Sequence, residues 1–157
     1  MARWSDFVTE APDLAARVEA RFTATKHHVL ATLRADGSPR VSGTEVQLSG
    51  GDLQMGSMPG ARKALDLQRD GRFALHANPG DGTMDGGDAK VTGRAEEVVD
   101  DDGLGTYAEA SQPPPGPFHL FRLHLDEVVL TSVHPDGDRL VVELWRPGHG
   151  VTVVDRK

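Results

Sequence analysis

Residues 28–48 read HVLATLRADGSPRVSGTEVQL and carry the clearest fold signal in the chain. Two β-rich runs, residues 28–34 and 39–48, lie on either side of an Asp36-Gly37 pair. Asp-Gly between such runs is a strong hairpin signal, because both residues tolerate the backbone of a tight two-strand turn. The stretch therefore predicts an antiparallel β-hairpin.

Apolar periodicity extends the prediction along the chain. The four-residue spacing of Leu14, Val18 and Phe22 predicts an amphipathic helix over residues 12–24, and a second, short helix is predicted over residues 61–70. Further strands are predicted at residues 53–57, 72–78 and 89–98 and through the last third of the chain, and at most one helical turn is expected within residues 100–117. The sum is a mainly β, α+β fold: a barrel or sandwich of six to seven mostly antiparallel strands, with an N-terminal helix and a short helix after the third strand.

Composition narrows the class of protein. The 157 residues suit one domain, over residues 1–157. A mean hydropathy of -0.40, without an apolar run of roughly 18 residues, predicts a soluble protein with no membrane span. The N-terminal residues lack the apolar segment of a secretory signal, so a cytoplasmic location is expected. The sequence has no cysteine, which excludes disulfides, thiolate nucleophiles and cysteine-ligated metals.

The charge balance argues against a nucleic-acid partner. The formal net charge is -7, and no cluster of lysine and arginine is longer than two residues.

One such pair stands in residues 56–65, GSMPGARKAL, where two glycines and a proline precede Arg62 and Lys63 at the start of the second predicted helix. A glycine turn, a helix N-terminus and two cations are the parts of a phosphate site, because the helix end carries partial positive charge. Solvated surface cations are the alternative interpretation. The glycine spacing does not match a nucleoside triphosphatase loop.

Other motifs are weaker. The glycine-rich residues 79–88 are predicted to form a loop, which could close over a ligand. The histidines show no metal-binding spacing, since His27 and His28 are adjacent and His119 and His124 fall on opposite strand faces, so no metal site is predicted. No residue is assigned a catalytic acid, base or nucleophile role.

Together these pieces resemble the pyridoxamine 5′-phosphate oxidase-like superfamily, the flavin-binding split β-barrels. The resemblance rests on ATLRADGSPRVS, then LQMGSMPGARKALDLQRDGRFALHA, AKVTGRAEEV and LWRPGHGVTVVDR, in that order over residues 28–157. It implies a split β-barrel that binds FMN, or the deazaflavin F420, between the subunits of a homodimer. It also implies a flavin-dependent oxidoreductase acting on a small molecule.

The resemblance further implies a cofactor site. Arg62 and Lys63 would hold the cofactor phosphate, for which the second strand, the following turn and the C-terminal stretch would supply the remaining contacts. The implied cofactor-binding residues are Val41, Ser42, Gly43, Thr44, Gly56, Ser57, Arg62, Lys63, Asp88, Trp145 and Arg156.

One departure bears on the substrate. Where the oxidases carry an Arg and a His that contact pyridoxal, this chain has GVTVV at residues 150–154, which argues against turnover of pyridoxamine 5′-phosphate.

Three alternatives remain open. An F420-dependent reductase would need a basic groove beyond Lys63, for which Arg69 and Arg72 are the candidates. A flavin or haem carrier or sensor would catalyse no turnover, and His27, His28 or His149 could ligate haem. A barrel without cofactor could serve as an interaction protein.

Overall fold

A computed structural model describes every residue from Met1 to Lys157. It contains four helices and nine strands. In chain order these are α1 (Trp4–Glu10), α2 (Pro12–Ala24), β1 (His28–Leu33), β2 (Pro39–Thr44), β3 (Gln47–Ser49), β4 (Asp52–Ser57), α3 (Arg62–Arg69), β5 (Arg72–His76), β6 (Asp88–Glu97), α4 (Asp101–Ser111), β7 (His119–Val133), β8 (Leu140–Arg146) and β9 (Gly150–Arg156).

The strands form one antiparallel sheet in the order β2-β1-β5-β6-β7-β4-β3. β7 is 15 residues long and pairs with β6 along its length. Its first half also pairs with β4, whereas its second half pairs with β8, to which β9 is added. The sheet therefore divides along β7. The chain has the α+β fold that the sequence pattern predicts and the split β-barrel that the family resemblance implies.

Twenty-three buried residues form the hydrophobic core. Side chains alternate along a strand, so that Phe121, Leu123 and Leu125 of β7 all point into this core. Helices α1 and α2 close one side of it, with Phe7 and Val18 fully buried.

Most of the predicted elements are confirmed, and the differences have local causes. The helix over residues 12–24 is α2, with Pro12 in its first turn, where a missing N–H costs nothing. The predicted run over residues 39–48 divides into β2 and β3, which contributes to a strand count of nine rather than six to seven.

The prediction of at most one helical turn within residues 100–117 is wrong, because α4 has 11 residues. Asp100 caps this helix by accepting a hydrogen bond of 2.8 Å from the Gly103 amide. Gly103 and Gly105 lower the helix propensity of the segment, so the sequence pattern did not indicate a helix there. Helix α1 was not anticipated either. None of the four helices is long and apolar enough to span a membrane.

Candidate functional site

The candidate site begins at a tight turn between β4 and α3. Residues Met58 to Ala61 form this turn, closed by a 3.2 Å hydrogen bond from the Ala61 amide to the Met58 carbonyl. Pro59 fits the second position of a type II turn, and Gly60 takes the third position with a φ of +70°. A side chain at Gly60 would be strained, so MPG is a structural requirement of the turn.

Helix α3 follows the turn directly, and its N-terminus is uncapped. The residue before the helix, Ala61, makes no side-chain capping bond, and the first helical turn contains no acidic residue. Arg62 and Lys63 occupy the first two helical positions, where cations are unfavourable unless an anion offsets them. The N-terminus of α3 therefore has neither a capping side chain nor an acidic residue of its own, the arrangement that anion-binding helix ends share.

Lys63 is half-buried and has no carboxylate partner. Its ammonium donates a 3.0 Å hydrogen bond to the main-chain carbonyl of Gly43 on β2. Burial lowers the pKa of Lys63, and the nearby charge of Glu45 opposes this effect only in part. An anion at this point would supply the counter-charge that the protein itself does not provide.

Asp66 fixes α3 against the β1–β2 hairpin. Its buried carboxylate accepts hydrogen bonds from Thr32 at 2.7 Å, Arg40 at 2.7 Å and Arg69 at 3.0 Å. Burial alone would raise the pKa of Asp66, but these three donors outweigh burial and lower it. Asp66 is thus ionised at neutral pH and orients two arginines along the helix.

A cavity of about 370 Å³ lies between α3 and the tip of this hairpin. We call it the arginine groove. It is lined by Arg34, Ala35, Asp36, Arg40, Arg62, Leu65, Asp66 and Arg69. Arg34 and Arg40 were not among the predicted site residues, because only the packing of α3 against the hairpin brings them beside Arg62.

His119 was also missed by sequence reasoning. Its Nε2 accepts a 3.3 Å hydrogen bond from the Gly60 amide, and its Nδ1 lies 3.1 Å from the Glu97 carboxylate. Gln68 of α3 donates to the same carboxylate at 2.8 Å. The three side chains connect the turn, α3 and the end of β6, and therefore help to hold the turn in place.

The predicted ligands on β2 do not share one face. Thr44 is buried and Ser42 half-buried on the side where Arg40 reaches α3, whereas Val41 and Gly43 are exposed on the other side. Only the Gly43 carbonyl is in contact with Lys63.

Gly56 and Ser57 end β4 and lead directly into the turn. A Cβ at Gly56 would overlap the Tyr107 hydroxyl of α4, so that the glycine lets this helix pack against β4. Ser57 is buried and pairs with His119 of β7.

The remaining predicted residues lie elsewhere in the chain. Asp88 is the first residue of β6. In the sheet, β1 and β5 lie between β6 and β2, so the two strands are about 14 Å apart at the usual strand spacing. One oxygen of its carboxylate is buried without a hydrogen-bond partner. Arg156 is exposed at the end of β9. Trp145 is fully buried, with its ring centroid 4.8 Å from that of Phe7, so the structure places it in the core instead of beside Lys63.

One cluster of metal-ligand type occurs at the β7–β8 turn, where His134, Asp136 and Asp138 approach one another. The Arg139 guanidinium already contacts all three side chains, with 2.8 Å to Asp138 and 2.8 Å to His134. The three side chains are thus already engaged with a cation of the protein itself.

The sheet that divides along β7 defines the class of the protein, the split β-barrels. Residues 14–132 match the family model described as Pyridoxamine 5′-phosphate oxidase. Because this match covers most of the chain, the protein belongs to that family. No curated protein matches the sequence significantly.

Solved structures agree on the fold. A pyridoxamine 5′-phosphate oxidase-related, FMN-binding protein from Nostoc punctiforme superposes with a TM-score of 0.64 at 12% identity, covering 94% of this chain and 96% of that one. HutZ, a haem storage protein from Vibrio cholerae, superposes with a TM-score of 0.61 at 17% identity. The match covers 82% of this chain and 98% of HutZ. A haem-binding protein from Mycobacterium smegmatis superposes with a TM-score of 0.57 at 19% identity. That match covers 89% of this chain and 57% of the other protein.

Proposed function

We propose that this protein is a flavin-dependent oxidoreductase that binds the cofactor phosphate at the first turn of α3. The observation that carries the proposal is Lys63, a half-buried ammonium with no acidic partner, on a helix N-terminus that has no cap. Family membership makes FMN the first candidate. When bound, the flavin would supply the hydride-transfer chemistry, whereas the protein supplies binding, orientation and electrostatics.

The roles of the chain's residues follow from their positions. Arg62 and Lys63 pair with the phosphate, and the main-chain amides of the first turn of α3, which has no capping side chain, donate to it. Ser42 and Thr44 contribute side chains on the face of β2 that meets α3. Val41 and Gly43 contribute main-chain groups along the isoalloxazine.

The proposed assembly is a homodimer with the cofactor between subunits. Asp88 is half-buried and lies three strand spacings from β2 in the same sheet, about 14 Å at the usual spacing, so we assign it to the cofactor bound by the other subunit. Arg156, exposed at the end of β9, would also contact the cofactor bound by the other subunit. Trp145 is left out of the proposed site because it is fully buried.

We propose that the substrate is a small molecule other than pyridoxamine 5′-phosphate. We also propose that the protein is cytoplasmic. The acidic net charge of -7 disfavours nucleic acid as a partner.

Haem binding is the second candidate, since two of the superposed structures carry that description. Of the candidate ligands, His28 is already engaged at both ring nitrogens, with Phe22 and with Asn78, each at 3.0 Å. His27 and His149 are exposed and would have to provide the iron ligand.

The test is a titration of the purified protein with FMN and, separately, with haem, followed by visible absorption. We expect saturable FMN binding that Lys63→Ala weakens by about 1.5–3 kcal/mol, the contribution of a hydrogen bond to a charged group. Lys90→Ala is the matched control, because Lys90 is an exposed lysine on β6 and should leave the affinity unchanged. A Soret band that saturates with haem, together with an FMN affinity indifferent to Lys63, would favour the haem carrier.

A further inference from the structure

His119 stands directly behind the turn that leads into α3. It is the first residue of β7 and pairs with Ser57, the last residue of β4. Its side chain is 22% exposed, so most of the ring is enclosed by the protein. Its Nε2 accepts the 3.3 Å hydrogen bond from the Gly60 amide. A titratable side chain therefore holds a main-chain amide two residues before the helix begins.

The contacts of His119 define its protonation state. Its Nδ1 lies 3.1 Å from a carboxylate oxygen of Glu97, which can only accept, so Nδ1 carries the proton. Its Nε2 accepts from Gly60 and therefore carries none. Gln68 donates at 2.8 Å to the other oxygen of Glu97 and keeps this carboxylate in place. His119 is thus a neutral imidazole whose lone pair is directed at the turn.

Glu97 is the only charged side chain with a hydrogen bond or ion pair to the His119 ring. The other groups around the ring are uncharged: Ser57 of β4, Gln68 of α3 and Phe121 of β7. The two cations of α3 are directed elsewhere, Lys63 to the Gly43 carbonyl and Arg62 into the arginine groove. A proton added to Nε2 would therefore make an ion pair with Glu97 while both side chains stay where they are.

Protonation of His119 changes what the turn offers to a ligand. Histidine changes its charge between pH 5 and 8, and the added proton goes to Nε2, because Nδ1 already carries one. The Nε2–H and the Gly60 N–H are then two donors 3.3 Å apart, and neither can accept from the other. An oxygen of an anion beside them would satisfy both. The charged form of His119 therefore offers two donors where the neutral form offers none.

These two donors lie at the start of α3. Gly60 precedes Ala61, the residue before the helix, which makes no side-chain capping bond. The Ala61 amide is already engaged with the Met58 carbonyl at 3.2 Å. Of these two amides, only that of Gly60 is held by a group that changes charge near neutral pH, and it lies beside the free amides of the first helical turn.

We propose that His119 is a binding residue of the phosphate site and couples anion binding at α3 to the uptake of one proton. When the anion binds, Nε2 takes a proton from solvent, the Gly60 amide leaves the imidazole, and both groups donate to the anion. The proposal rests on the proposed function, in which this anion is the cofactor phosphate. Because the complex holds more protons than the free protein, its affinity rises as the pH falls through the histidine range.

His119→Gln tests the proposal and preserves the turn. Glutamine offers an amide oxygen to Gly60 and an NH₂ group to Glu97, the roles of the two ring nitrogens, but it does not titrate. His134→Gln is the matched control, because His134 directly follows the other end of the 15-residue strand β7.

The first measurement is calorimetry of FMN and riboflavin binding in two buffers of different ionisation enthalpy. At about pH 7.5 the FMN phosphate is already largely a dianion, so proton uptake belongs to the protein. We expect FMN to take up to about one proton more than riboflavin, an uptake that His119→Gln abolishes and His134→Gln retains. Burial lowers the pKa of Lys63, so Lys63→Arg, which stays charged, should also retain the uptake if His119 is its source.

The second measurement needs no flavin. Sulfate stays a dianion throughout this range, and its binding can be followed at the Gly60 amide by NMR. We expect the wild type to bind sulfate at least about threefold more tightly at pH 6 than at pH 8, and the His119→Gln variant to show no such difference.

The outcomes separate this proposal from the proposed function. FMN binding with the same proton uptake in the wild type and in His119→Gln would overturn the role of His119 and keep the flavin. Sulfate binding with the expected pH dependence, without any FMN binding, would keep the role of His119 and reject the flavin. A wild type that binds neither FMN nor sulfate would overturn both.

Discussion

At the scale of single residues, His28 shows how burial sets a protonation state. It is 3% exposed, its Nδ1 accepts the Asn78 amide, and its Nε2 donates to the Phe22 carbonyl. Burial lowers the pKa of His28, the bond to Phe22 opposes this, and the adjacent His27 adds to the lowering. His28 is therefore a neutral structural histidine.

This protonation state predicts a pH dependence of stability. The unfolded chain has a histidine pKa near 6.5, and the folded value is lower, so below about pH 6.5 the unfolded state binds the proton first. The contribution of His28 to the free energy of unfolding should be complete above that pH. It should fall as the pH drops, by up to about 1.4 kcal/mol per pH unit.

Urea unfolding at pH 7.5 and pH 5.5 measures the effect. The variant His28→Asn should be less stable at pH 7.5 and should lose less stability between the two values than the wild type. An identical pH dependence in both proteins would contradict the assignment.

The sequence identified some site residues and could not identify others. Arg62 and Lys63 were recognisable because the glycine-proline turn and the cations are contiguous in the chain. His119 and Arg34 were not, because strand pairing and helix packing bring them to the turn and α3 from distant parts of the sequence. His119, for example, is 59 residues from Gly60.

At the scale of elements, the β6–β7 pairing depends on an irregularity at Gly93. The register shifts between Thr92 and Gly93, and a Cβ at Gly93 would overlap the main-chain carbonyl oxygen of His124. A backbone atom in the middle of the sheet cannot move aside as the end of a side chain can.

We therefore expect Gly93→Ala to destabilise the protein by more than about 3 kcal/mol, in the range of severe core substitutions. Gly105→Ala is the control: a Cβ there contacts nothing, and the position is helical, so the change should stabilise α4 by about 0.5–1 kcal/mol. Thermal and urea unfolding measure both variants. Equal effects of the two substitutions would show that the bulge tolerates a side chain.

Element prediction from sequence succeeded where one signal dominated. Helix α2 has an uninterrupted apolar stripe, and the β1–β2 hairpin has an Asp-Gly turn. Helix α4 lacked such a signal, because none of its residues is buried and it contains two glycines. Its packing over Gly56 through Tyr107 is a tertiary contact that periodicity does not encode.

At the scale of the whole molecule, apolar surface remains on β9, an edge strand that pairs only with β8. Val151, Val153 and Val154 of β9 are 41%, 58% and 44% exposed. Neighbouring exposed valines on an edge strand are typical of a surface that another subunit covers. This patch is the part of the surface that we assign to the proposed homodimer.

Val153→Glu should therefore shift the protein from dimer to monomer of 16.9 kDa in light scattering after gel filtration. Val99→Glu serves as the control, because Val99 is 76% exposed in the segment before α4, away from β9. If both variants remain dimeric, the interface lies elsewhere; if the wild type is a monomer, the cofactor site between subunits is wrong.

The central claim is that Lys63 and the N-terminus of α3 bind a flavin through its phosphate, and a comparison of FMN with riboflavin tests it most directly. The two ligands differ only in that phosphate. We predict that the wild-type protein binds FMN at least tenfold more tightly than riboflavin, and that Lys63→Ala removes most of this preference without weakening riboflavin binding. Equal affinity of the wild type for both ligands, or an undiminished preference in Lys63→Ala, would contradict the account.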